Sequence, residues 1–177
     1  DVEPYGTKEW KAGGGQREKV MRDYLSFLQK AKGLLRKQAP HLELSVDVPF
    51  WWDKPEFVVE YAGKRKLLVH HVQDLTDYIG IMSYRPSAEK VLSVIQGELA
   101  YASRIGKKVC PGLETGKLEG EESWITFWGR PEADFRRAVA ELGETLSGGK
   151  TTRCIMLHHY ESLRTYLGKD SNKPDAG

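Results

Sequence analysis

Two hydrophobic periodicities take turns along this chain, and their alternation constrains the fold more than any other feature. From Gln16 to Lys37, Val20, Tyr24, Phe27, Leu28, Ala31, Leu34 and Leu35 recur at three- and four-residue steps, the apolar stripe of an amphipathic helix. Pro40 stops that pattern. In "HLELSVDVPFWW", Leu42, Leu44, Val46 and Val48 then alternate with His41, Glu43, Ser45 and Asp47, which is the period of a strand.

The same exchange continues downstream. "EFVVEYAGKRKLLVH" reads as a short strand ending in a turn at Ala62-Gly63, followed by a brief helix from about Leu67 to Asp77. "YIGIMSYR" has the length and apolarity of a strand. Ala88 to Ile105 predicts a helix with Val91, Leu92, Ile95, Leu99 and Ala102 on one face and Gly106 as its C-cap. "KKVCPGLETG" gives a further strand and "ESWITFWG" an extended piece. Pro131 opens another helix, carried by Phe135, Val139, Leu142 and Leu146 and ended by Gly148-Gly149, before "RCIMLHHYESL" as the last strand. Strands alternating with amphipathic helices imply an α/β fold, a parallel sheet with helices packed outside it. Residues 1–168 make one such domain, and residues 169–177 have the composition of a disordered tail.

Composition narrows the functions. With 177 residues the chain suits one domain, and a net charge of +2 leaves no electrostatic footprint for nucleic acid. Lys64-Arg65-Lys66 and Lys107-Lys108 are read as a turn and the start of a strand. No apolar stretch reaches the roughly 18 residues of a membrane span. Cys110 and Cys154 match no metal-ligand spacing; two free buried thiols are expected, with a disulfide as the alternative in an oxidising compartment. Neighbours on a strand point to opposite faces, so His70-His71 and His158-His159 each offer one ligand at most to a single metal. "SGGKTT" lacks the first glycine of a phosphate-binding loop and ends a helix instead of opening one. No metal or cofactor is expected, and the composition assigns no compartment.

In a parallel barrel the working residues cluster at the carboxyl ends of the strands. Those ends here carry Asp1, Glu3 and Tyr5; then Asp47, Trp51 and Trp52; then Tyr84 and Arg85; then Glu114; and finally His158 and Tyr160. Glu3 and Glu114 each close a strand just before a turn. Glycoside hydrolysis uses such a pair, one group protonating the departing oxygen while the other attacks the anomeric carbon or activates water. Trp51, Trp52, Trp124 and Trp128 supply indole faces for the C–H side of a sugar ring. His158 shares the phase of Met156 and Tyr160, and is placed to tune a carboxylate or to hydrogen-bond sugar hydroxyls.

"DVEP" with Tyr5, and "IMSYR" two strands later, resemble the chitinase-like branch of barrel glycosidases, in which a strand-four motif ends in the catalytic Glu and a Met-x-Tyr motif closes strand six. The Glu-Pro pair with the second Glu of "GLETG" is also similar to the retaining clan whose acid/base and nucleophile end strands four and seven. The resemblance spans nearly the whole chain in topology but about ten motif residues. It implies Glu3 as proton donor, Tyr84 as a site-lining hydroxyl and Glu114 as nucleophile or second carboxylate. Arg85 stands where the first family carries an acidic or amide residue, and Val2 where the clan carries Asn.

In that register the chain runs from the end of strand four through strand eight, the C-terminal half of a (β/α)8-type barrel. The expectation is a glycoside hydrolase-like half-barrel acting on a polysaccharide of β-linked glucan or chitin type, completed as a homodimer. The alternatives are a non-catalytic carbohydrate-binding or assembly half-barrel, or an inactive fragment of a larger barrel protein.

Overall fold

A computed structural model describes residues 2–149 and 151–168; Asp1 and the expected tail at residues 169–177 lie outside them. The parallel sheet expected from the alternation is present. Its strands are β1 (Ser45–Pro49), β4 (Tyr78–Met82), β5 (Lys108–Glu114) and β6 (Met156–His158), in the order β1-β4-β5-β6 with every neighbouring pair parallel. Between β1 and β4 lies a separate antiparallel hairpin, β2 (Val58–Tyr61) and β3 (Lys64–Leu67). Its two-residue turn holds Ala62 and Gly63 at φ of 50° and 72°. The helices are α1 (Lys8–Ala12), α2 (Gly14–Gln38), α3 (Leu68–Leu75), α4 (Ala88–Val94), α5 (Gln96–Ile105), α6 (Glu132–Ser147) and α7 (Tyr160–Tyr166).

Register segregates the two faces of the sheet. Val46, Ile79 and Val109 stand in one lateral row and Val48, Ile81 and Pro111 in the next. This face is buried beneath the helices, with Leu25 and Leu28 of α2, Val72 of α3, Ala102 of α5 and Leu142 of α6 in the same core. Each large aliphatic side chain so buried contributes about 1.5–3 kcal/mol. The opposite face carries Ser45, Asp47, Gly80, Gly112, Glu114, Met156 and His158. A Cβ on Gly80 would stand 2.0 Å from Asp47 Oδ1 and 2.5 Å from Met156 Cε. Side chains from both flanks of the sheet therefore converge over the middle strand, and only glycine leaves room for them.

The two ends of the sheet differ as well. At the amino end, polar groups tie elements together: Asp77 Oδ2 accepts from Leu44 N at 2.8 Å, Lys32 Nζ donates to Asp77 Oδ1 at 3.0 Å, and Lys107 Nζ donates to Thr76 O at 2.6 Å. The carboxyl end instead opens onto cavities.

Several local expectations are corrected. Lys64-Arg65-Lys66 forms strand β3, not a turn: it pairs with β2, with Lys64 and Arg65 exposed to solvent and Lys66 donating to Asp74 and Tyr101. The helix expected over Ala88–Ile105 breaks at Ile95 (φ −119°, ψ 9°) into α4 and α5. "ESWITFWG" begins within a 3-10 turn, Gly120–Trp124, and holds no strand. The last strand ends at His158, and Tyr160 already opens α7. Val2 and Glu3 lie in no strand; Glu3 leads into a 3-10 turn, Pro4–Gly6. Cys110 and Cys154 are joined in a disulfide, with Cys110 buried and Cys154 exposed, so the expected pair of free buried thiols is absent.

Candidate active site at the carboxyl ends of the parallel strands

Two cavities of about 410 Å³ each open at the carboxyl end of the sheet. The first is walled by α2, β1 and the N-terminal turn, and takes in Glu3, Asp47, Trp52 and His158. The second is formed by the segments after β1, β4 and β5, and takes in Phe50, Trp51, Arg85, Glu114 and Glu122. Tyr5, Met82 and Tyr84 line both and form the partition between them.

Glu114 closes β5 and is 3% exposed. Its carboxylate is held from two sides, with Oε1 accepting from Gly116 N at 2.5 Å and Oε2 from His158 Nδ1 at 2.7 Å. The backbone of Glu114 is fixed too, its carbonyl accepting from Phe127 N at 2.9 Å and Thr126 Oγ1 at 3.2 Å. Strand pairing places Glu114 opposite His158, and the His158 ring lies 5.7 Å from that of Tyr84.

Tyr84 follows β4, and its position is set from below. Ser83 Oγ donates to Gly112 O at 3.1 Å and accepts from Gly112 N at 3.0 Å, which pins this segment to β5. The Tyr84 ring passes over Gly112, where a Cβ would stand 3.1 Å from Tyr84 Cε1 and 2.9 Å from Ile81 O. Burial pushes the Tyr84 phenol up to about 12, and the nearby Glu114, Asp47 and Glu3 carboxylates push the same way. Burial, together with Glu3, also raises the Tyr5 phenol well above its ordinary value.

The aromatic residues divide. Trp52 is 1% exposed and belongs to a packed cluster with Trp10, Tyr24 and Trp51, though one edge reaches the first cavity. Trp51 is half-buried and faces the second cavity. Trp124, 51% exposed, lies over the Arg85 guanidinium. Trp124, Trp128 and Tyr160 line neither cavity: the Trp128 backbone N–H binds Thr126 Oγ1 at 3.0 Å, and Tyr160 projects from α7 under Arg164.

The structure thus brings together Glu3, Tyr5, Asp47, Trp52, Tyr84 and His158 in one cavity, and Trp51, Arg85 and Glu114 in the next, while Asp1 lies outside the described residues. Phe50, which follows Asp47 at the same strand end in the sequence, lines the second cavity, while Glu122 and the glycines under the site escaped the sequence reading. Gly80 and Gly112, each inside an apolar strand run, were the signal available for the close approach. No group of three or more His, Cys, Asp and Glu side chains suited to a metal occurs among the described residues.

Compared with known proteins, the chain matches no family model, no curated protein and no solved structure.

Proposed function

We propose that this chain is a glycoside hydrolase-like protein that cleaves a polysaccharide of β-linked glucan or chitin type by two-carboxylate catalysis. One observation carries the reading: Glu3 and Asp47 line one aromatic-walled cavity, Glu114 lines the next, and Tyr84 lines both. A sugar chain crossing the Tyr5–Met82–Tyr84 partition places one residue in each cavity and the bond between them over Tyr84. Glu3 protonates the departing glycosidic oxygen as the C1–O bond breaks. Glu114, oriented by His158 and Gly116, is the second carboxylate, attacking C1 or taking a proton from water. Asp47 and Tyr84 hold ring hydroxyls.

The test is hydrolysis of soluble cellulose, chitin and xylan derivatives by the wild type, Glu3→Gln and Glu114→Gln. A loss of about 100-fold or more in kcat is expected for each variant. Wild-type turnover by Glu3→Gln removes Glu3 from the role.

A second reading has its own support. Both Glu114 oxygens already accept protein hydrogen bonds, which suits a carbohydrate-binding half-barrel without turnover. Binding of the same polysaccharides with no reducing ends released distinguishes it.

In either reading the sheet is half of a (β/α)8-type barrel. Four consecutive parallel strands are present, and about eight close a barrel whose interior side chains can fill. Setting β6 of one copy beside β1 of another keeps all strands parallel about one axis, so a homodimer is the proposed assembly. A monomeric mass in sedimentation equilibrium overturns that assembly.

A further inference from the structure

Arg85 stands apart from the other cations near the site. Its guanidinium lies over two rings, 4.6 Å from the centroid of Phe50 and 4.8 Å from that of Trp124. Nη1 donates to the Tyr84 carbonyl at 2.6 Å. The side chain is half-buried and lines the second cavity. Among the described residues no carboxylate forms an ion pair with it, although the chain has surface pairs such as Lys19–Asp23 and Arg22–Glu18.

A half-buried cation without a counter-charge is costly unless something answers it. Burial holds its pKa below the ordinary value. The two rings and the bond to Tyr84 restrain the guanidinium, and its remaining N–H groups form a fork. Such a fork matches a carboxylate in a two-point contact. The two cavity carboxylates do not fill the role: Glu114 is turned to His158 and Gly116, and Glu122 is exposed and makes no ion pair with Arg85. A neutral glycan can accept hydrogen bonds from this fork but brings no charge to answer it.

We propose that the second cavity is a subsite for an acidic sugar residue, with Arg85 binding the anionic group of a uronic acid, or of a sulfated sugar, through its free guanidinium edge. This rests on the carbohydrate reading above and narrows it to a polysaccharide whose β-linked backbone carries acidic residues. Trp51 and Phe50 contact the sugar body, and Glu122 at the rim weakens the binding of anions.

The experiment compares three β-linked tetrasaccharides on the full chain by titration calorimetry: one bearing glucuronate, its carboxyl-reduced counterpart, and one sulfated at a primary hydroxyl. At low salt the wild type is expected to bind an acidic form at least about ten-fold more tightly than the reduced one, an advantage that shrinks with added salt. The acidic arm that gains affinity names the anion. In Arg85→Gln the ratio of acidic to reduced affinity should fall to about one, and Glu122→Gln, which leaves the stacked rings in place, should raise it. Equal wild-type affinity for all three overturns the acidic subsite while leaving the carbohydrate reading intact. Binding of none overturns both.

Discussion

His158 Nδ1 lies 2.7 Å from Glu114 Oε2, joining the last residue of β6 to the last residue of β5 where the two strands are paired. The contact fixes one carboxylate oxygen, and the Gly116 N–H fixes the other. A residue that orients a reacting group acts through geometry, and small displacements are expensive in rate. His158→Ala is expected to lower kcat by about ten- to a hundred-fold with KM nearly unchanged. His158→Asn, which retains a donor near the same place, should recover part of the loss. Steady-state kinetics on a soluble polysaccharide check this; a KM effect alone assigns His158 to substrate binding.

The floor of the site depends on two missing side chains. Gly80→Ala would set a methyl 2.0 Å from Asp47 Oδ1 and 2.6 Å from Met156 Sδ. Those are ends of flexible side chains, so they move aside, and a cost of about 1–3 kcal/mol is expected. Gly112→Ala meets a backbone oxygen, Ile81 O, at 2.9 Å, and should cost at least as much while tilting Tyr84. Urea denaturation of the two variants measures the difference.

Glu98 in α5 is fully buried, and neither of its carboxyl oxygens has a hydrogen-bond partner among the described residues. Burial raises its pKa from 4.5 to about 8, with the Asp53 carboxylate adding to the rise. A carboxyl whose pKa is higher in the folded state binds its proton more tightly there. Its contribution is whole below about pH 4.5 and is lost as pH climbs to about 8. Within that window the loss approaches about 1.4 kcal/mol per pH unit. Glu98→Gln should gain stability on the wild type as pH rises from 5 to 9. A constant difference between the two proteins across that range contradicts the assignment.

The Cys110–Cys154 disulfide spans a sequence separation of 44 residues and fastens the segment before the three-residue strand β6 to β5. Cross-linking a loop of this size removes about 3–4 kcal/mol of unfolded-chain entropy. Reduction, or the Cys110→Ala/Cys154→Ala variant, is expected to lower stability by about that amount. Amide exchange should rise first at the β5–β6 pairing. A denaturation midpoint insensitive to reductant counts against it.

The legible parts of the fold are those where one periodicity runs long enough to dominate. The stripe from Val20 to Leu35 gave α2, Phe135 to Leu146 gave α6, and Gly106 caps α5 in the left-handed conformation. Tyr84 and His158 could be placed at the rim because strand ends are marked by a switch from apolar to polar residues, whereas Asp47 sits in the middle of β1 opposite Gly80. The hairpin strand β3 was hidden because Lys64, Arg65 and Lys66 carry no apolar alternation; cross-strand hydrogen bonds make it a strand. The break at Ile95 was invisible because the apolar face continues through it. Trp10 joins the aromatic cluster through packing against Trp52 and Phe57, a contact that spacing along the chain does not encode. The Glu114–His158 pair needed the register of β5 against β6, which tertiary packing decides.

Odd and even positions of the central strands answer to different demands. Ile79, Ile81, Val109 and Leu113 hold the helices in place, while Gly80, Gly112 and Glu114, interleaved with them, shape the opposite surface. Replacements that redirect what the rim recognises can therefore be confined to the side chains of that opposite surface, with Gly80 and Gly112 kept as they are, while the scaffold beneath goes untouched.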